Sequence, residues 1–139
     1  MSAVMKQCES QVMHFFRSLD ERRYDALADL LAPDAIWRRQ GKVLTGPAQV
    51  LQALQQRSPT MKIAHIITNL VFEECETQRC TIRGYMLVIR HEPGGPVQGP
   101  CPLQGIESVR NVHIQMKQVA DSWLIAELSA EDTIFAANA

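Results

Sequence analysis

FFRSLDERRYDALADLLAPDAIWRRQGKVLTGPAQVLQAL, running from Phe15 to Leu54, changes its apolar rhythm several times along its length. Its upstream end completes a helical stripe of Val4, Met5, Cys8, Val12, Phe15, Phe16 and Leu19, which predicts a helix over 3–19 with Ser2 as its N-cap. The charged run Asp20-Glu21-Arg22-Arg23 breaks that stripe. Tyr24, Leu27, Leu30 and Leu31 resume it as a shorter second helix, which Pro33 closes because proline lacks the N–H a helix interior needs. Ala35–Arg39 and Lys42–Thr45 then read as two short strands around Gln40-Gly41. Gly46-Pro47 opens a third helix, with proline in the first turn, where its missing N–H does no harm. That helix buries Val50, Leu51 and Leu54, and Ser58-Pro59 stops it.

Beyond this point the period falls from 3.6 to 2. Lys62–Glu74 predicts a long strand, apolar on both sides, with Ile63, His65, Ile67, Asn69 and Val71 on one face and Ala64, Ile66, Thr68, Leu70 and Phe72 on the other. A polar turn over 73–78 leads into a strand over Arg79–His91, with Gly84 as its bend or bulge. Residues 92–105, EPGGPVQGPCPLQG, form a Pro/Gly loop too long for a simple hairpin. Ile106–Val119 and Trp123–Ala130 close a final hairpin around Ala120-Asp121-Ser122, and the tail SAEDTIFAANA is expected as a helical turn capped by Ser129.

Helices first and strands afterwards predict an α+β fold, three N-terminal helices packed on one face of a curved antiparallel sheet, as a single domain over residues 1–139. A strand apolar on both faces needs a cover on both. The helices supply one, and a second copy of the chain, joined through the sheet as a homodimer, is the expected other. The order of elements leaves a cone-shaped hollow between layers, with Asp20 and His65 placed to look into it.

The chain has 139 residues, 46% hydrophobic and 21% charged, with a net charge of −1, so disorder is not expected. Lys and Arg are scattered, which argues against nucleic acid as a partner. No apolar run approaches the ~20 residues of a membrane span. The opening MSAVMKQCES lacks the basic-then-apolar layout of a secretion signal, so a cytoplasmic protein is expected. Cys8, Cys75, Cys80 and Cys101 show no C-x-x-C spacing and are expected as reduced thiols, a Cys75–Cys80 bridge across a hairpin being the less favoured alternative. Metal-ligand pairs, dinucleotide or phosphate-loop glycines and a nucleophile elbow are all missing, so neither metal nor cofactor is expected.

The order and spacing of FFRSLDERRYDALADLLAPDAIW, GKVLTGPAQV, HIITNLVFE, GYMLVIRHEPG and SWLIAEL resemble the nuclear-transport-factor-2-like superfamily, and within it the SnoaL-like, scytalone dehydratase-like group. The resemblance covers roughly residues 8–130 and implies a cystatin-like cone. It also implies an Asp at the end of the first helix facing a His on the first long strand, positions that Asp20 and His65 match. His91 matches a second strand-end His. The substrate-holding tyrosines of those dehydratases are not matched, since Phe16 and Leu19 stand on the helix and Trp37 to Arg39 on the strand. Arg38 and Arg39 also replace the carboxylate base of the ketosteroid-isomerase branch.

A carboxylate beside an imidazole fixes its tautomer and leaves the other ring nitrogen free to move a proton. The expected chemistry is therefore cofactor-independent proton abstraction beside a carbonyl, in a lyase or isomerase acting on a small apolar or carbonyl-containing molecule. Asp20 and His65 are the catalytic candidates; Phe16, Trp37, Asn69, Tyr85, His91 and Arg110 are the ligand-binding ones. Competing readings make His65 a core histidine, Asp20 a solvated helix end, and the whole protein a non-catalytic binding protein or a structural subunit similar to the small subunits of ring-hydroxylating oxygenases.

Overall fold

Ser2 accepts the Met5 N–H at 3.1 Å and starts α1 (Ala3–Asp20). The computed structural model describes residues 2–139. Cys8, Val12, Phe15, Phe16 and Leu19 bury one stripe of α1, as the helical spacing requires. The helix ends in a Schellman turn: Arg23 N–H donates to Ser18 C=O at 2.8 Å and Arg22 N–H to Leu19 C=O at 3.4 Å. That turn needs a left-handed residue, and Arg22 supplies it with φ 61° where glycine is the usual choice. Arg22 is held there by its own guanidinium, which donates to Ser58 C=O and Met61 C=O, each at 2.7 Å. The end of α1 is thereby tied to the segment that begins the long strands.

The remaining elements are α2 (Tyr24–Ala28), β1 (Leu31–Arg39), β2 (Lys42–Thr45), α3 (Gly46–Leu54), β3 (Lys62–Cys75), β4 (Arg79–His91), β5 (Ser108–Val119) and β6 (Ser122–Ala136). The strands form one sheet in the order β2-β1-β6-β5-β4-β3. Three helices on one face of the sheet agree with the expected α+β layering, but the sheet is mixed, since β1 runs parallel to β6. The core lies between α1 and the inner face, where Ile82, Val112, Ile114, Met116, Ile125 and Leu128 are fully buried.

Several boundaries differ from expectation. β1 begins at Leu31, so α2 is little more than one turn, and Pro33 falls where pairing with β6 skips from Leu31 to Ile36. A proline is tolerated in a strand at such an unpaired position. The tail is strand through Ala136 and not a helical turn, because Val109 and Ser108 of β5 pair with Phe135 and Ala136. The loop extends to residue 107. Cys75 and Cys80 are joined in a disulfide, correcting the expectation of reduced thiols. They are directly paired across the β3–β4 hairpin, with Cα atoms 4.1 Å apart. Cys8 stays free and buried, its thiol pushed up to about 11 by that burial.

The inner and outer faces of β3 exchange partway along it. Asn69 takes φ 55° and the register with β4 slips between Thr68 and Val71. This bulge turns Asn69 and Val71 outward, while Leu70 and Phe72 pack against the core. Gly84, expected as the bend itself, lies opposite the bulge. A Cβ there would stand 2.6 Å from Leu70 Cδ2 and 2.9 Å from Thr68 C=O. Leu70 can swing away; the backbone carbonyl cannot. Gly84→Ala is therefore expected to destabilise the fold by about 1–3 kcal/mol. Urea denaturation measures this, and an unchanged midpoint would contradict the close approach.

Candidate functional site

Asp20 is the last residue of α1, a helix C-terminus that by itself disfavours a negative charge. Two donors from β3 offset that. Asp20 Oδ2 accepts the backbone N–H of His65 at 2.8 Å, and Oδ1 lies 2.5 Å from His65 Nδ1. Both side chains are largely withdrawn from water, with 17% of Asp20 and 11% of His65 exposed. A carboxylate against Nδ1 assigns the proton of that contact to Nδ1, so in the neutral ring Nε2 carries the lone pair. No protein group among the described residues bonds Nε2.

His65 forms part of the wall of a cavity of about 110 Å³ between α1 and the sheet. Its inner lining is buried and apolar: Phe16, Leu19, Trp37, Met86, Val88 and Leu128. The Phe16 ring sits 5.7 Å from the imidazole, centroid to centroid. Asp20 lies behind the imidazole and is not on this wall. The expected pair is thus brought together, and Phe16, Trp37 and Arg110 join it around the hollow.

Three of the expected ligand-binding residues lie elsewhere. Asn69 is exposed beyond the bulge and accepts a hydrogen bond from Thr68 Oγ1 at 2.9 Å. Tyr85 is 42% exposed on the outer face of β4, paired with Thr68 and Asn111. His91 pairs with Lys62 at the strand end and alternates away from Val88 and Arg90, which do line the hollow. Strand parity accounts for Tyr85 and His91, and the β3 bulge, which breaks that parity, for Asn69.

Apart from Arg110, the charged part of the lining was not among the expected ligand-binding residues. Arg38, Arg39, Arg57, Arg90 and Arg110 contribute to it, against two carboxylates, Glu107 and Glu131. Arg38 is paired with Glu127, and Arg90 Nε bonds Glu107 at 3.0 Å. Arg57 Nη1 donates to Leu19 C=O and to Tyr24 Oη, each at 2.9 Å, and its Nε is buried without a partner. Among the described residues Arg110 reaches only Ser108 Oγ at 3.3 Å and Ala130 C=O at 3.2 Å. Arg39 lies over the Trp37 ring at 5.3 Å. Burial first, and then the neighbouring Arg57 and Arg90 charges, lower its guanidinium below the usual range. Alternation would have found some of these, since Arg39 shares a face with Trp37 and Arg90 one with Val88. Arg57 follows a helix end and offers no such signal. Among the described residues no three His, Cys, Asp or Glu side chains cluster as a metal site would require, and no helix is long and apolar enough to cross a membrane.

A helix-capped sheet enclosing a cavity, with an imidazole in its wall and a carboxylate behind it, has the layout of a cystatin-like cone. The chain belongs to the SnoaL-like domain family of the nuclear-transport-factor-2-like superfamily, whose pattern matches residues 3–129. No curated protein matches it significantly. Among solved structures it is similar to a cystatin-like protein of unknown function from Nostoc punctiforme, with TM-score 0.78, 14% identity, and 100% of this chain and 98% of that one covered. It is also similar to a candidate scytalone dehydratase from Novosphingobium aromaticivorans, with TM-score 0.79, 16% identity and coverage of 97% and 87%. A candidate aromatic ring hydroxylase from the same organism gives TM-score 0.76, 13% identity and coverage of 97% and 93%. At these identities the likeness is one of fold.

Proposed function

We propose that the protein is a cofactor-independent lyase or isomerase for a small carbonyl compound, with His65 as the group that moves the proton and Asp20 as its positioning partner. The observation that carries this is the 2.5 Å Asp20–His65 contact beside a cavity, with Nε2 left unbonded. A general base must be within hydrogen-bond reach of the proton it takes, and a ligand lying against Phe16 and Met86 would present its α-carbon to the imidazole. The same Nε2, once protonated, can return that proton to a leaving hydroxyl or to a distal carbon. The first outcome is dehydration and the second is double-bond migration. The open hollow favours this reading over a purely structural subunit, whose interior would be filled.

The test uses the β-hydroxy ketone that dehydrates to benzylideneacetone. Wild-type protein in heavy water is expected to accelerate exchange of the α-hydrogens, followed by loss of water, both read by proton NMR. If the His65→Gln variant matches wild type in both readings, the proposed role of His65 fails.

The reading includes a homodimer through the outer face of the sheet. Ile66, Leu87, Val109 and Phe135 are paired in sequence across β3, β4, β5 and β6. Ile66 is 42% and Phe135 67% exposed. An apolar row of this kind is what a second copy would cover. Sedimentation equilibrium is expected to give twice the chain mass for wild type and the single-chain mass for Phe135→Glu. A wild-type protein that stays monomeric would remove the dimer from the proposal.

A further inference from the structure

The second cavity, about 210 Å³, adjoins the first and shares Arg39, Gln40, Arg57, Met61 and Arg90 with it. Its remaining charged residue is Lys42, so this outer groove is lined by four cations and no carboxylate. The shared residues therefore stand at the passage from the groove to the hollow. Guanidinium groups gathered this closely repel one another unless an anion lies between them. The protein's own carboxylates are occupied elsewhere: Glu107 bonds Arg90 and Glu131 accepts the Gly41 N–H at 2.6 Å. Neither Arg39 nor Arg57 has a carboxylate partner among the described residues. A planar guanidinium matches a carboxylate in a two-pronged hydrogen bond, which a neutral carbonyl cannot reproduce. The inner wall of Phe16, Leu19, Met86 and Leu128 meanwhile asks for an apolar body.

We propose that the ligand is a small organic carboxylate, its anionic end held by Arg39 and Arg57 at the passage and its apolar body pointing inward towards His65. This names the substrate class for the reading above and rests on that reading only in sharing its hollow. Arg39 and Arg57 act in binding, not in moving the proton.

Isothermal titration calorimetry with naphthoate, with the neutral naphthylmethanol of similar shape, and with inorganic phosphate tests it on the intact chain. Naphthoate is expected to bind, and both other probes to bind at least about tenfold more weakly. Arg39→Gln should weaken naphthoate by about 10–100-fold while leaving naphthylmethanol unchanged. Arg39 is the informative position, because Arg57 also holds the end of α1 and its replacement could unfold the protein. Arg39→Lys is the second variant: it keeps the charge, loses the two-pronged geometry, and should fall between wild type and Arg39→Gln. No heat with millimolar naphthoate, equal affinity for naphthylmethanol, equal affinity for phosphate, or full affinity in Arg39→Gln would each overturn the proposal. A failure of the carboxylate assignment is read in naphthoate binding to the wild-type and Arg39 variants, and a failure of the catalytic reading in ketone turnover, so the two are distinguishable.

Discussion

His65→Gln lowers turnover of the β-hydroxy ketone by about 100-fold or more, the usual contribution of a positioned acid–base group. Glutamine is the informative replacement because it can hydrogen-bond but cannot exchange a proton near neutral pH. The substitution should leave the fold standing. Asp20 Oδ2 holds the backbone N–H of residue 65, which the side-chain change does not remove. Unfolding should therefore shift little, while the rate collapses and the KM for the probe moves far less than kcat. A variant that loses both stability and rate in parallel would instead mark His65 as a packing residue. That was the competing reading of the sequence, and the combined measurement separates the two.

Asp20→Asn produces the other large effect, and for a different reason. The backbone N–H of His65 can only donate, so the Asn oxygen must face it. The Asn amide N–H₂ is then left facing Nδ1, which must become an acceptor. The ring proton moves to Nε2, and the nitrogen at the cavity can no longer take a proton. The expected loss is about 10²–10⁴-fold in rate with the geometry nearly unchanged. Nitrogen-15 spectra of the imidazole read the tautomer directly: wild type should carry its proton on Nδ1 and Asp20→Asn on Nε2. The same tautomer in both proteins would refute the positioning role even if activity fell. Asp20→Ala is the structural control. It leaves the His65 N–H without its acceptor, and a loss of about 1–3 kcal/mol in stability is expected.

Much of this architecture was legible in the chain. Helical stripes over the first residues, Gly46-Pro47 at the start of a helix and alternation from Lys62 onward are local signals, set by which side chains must leave water. The α1 stripe and the β3–β4 pairing follow from them, whereas the facing of Asp20 and His65 was implied by the family resemblance. Asn69 and Glu131 show where local signals fail. Nothing in ITNLV announces that φ at Asn69 turns positive, yet that one angle sends Asn69 away from the hollow and brings Leu70 into the core. The rule of alternation held on each side of the bulge and failed across it. Glu131 was assigned to a helical turn, but pairing with a distant strand carries β6 past it.

What residue types and spacing determined by themselves is the layering, because burying apolar surface at a given period admits few backbone shapes. They also placed an acid at the end of the first helix and an imidazole on the first long strand. Tertiary structure alone decided that β1 runs parallel to β6 and that Arg39, Arg57 and Arg90 converge from three separate segments. Each of those depends on contacts between residues far apart in the chain, and the cost of bringing like charges together is invisible until the fold has closed around them.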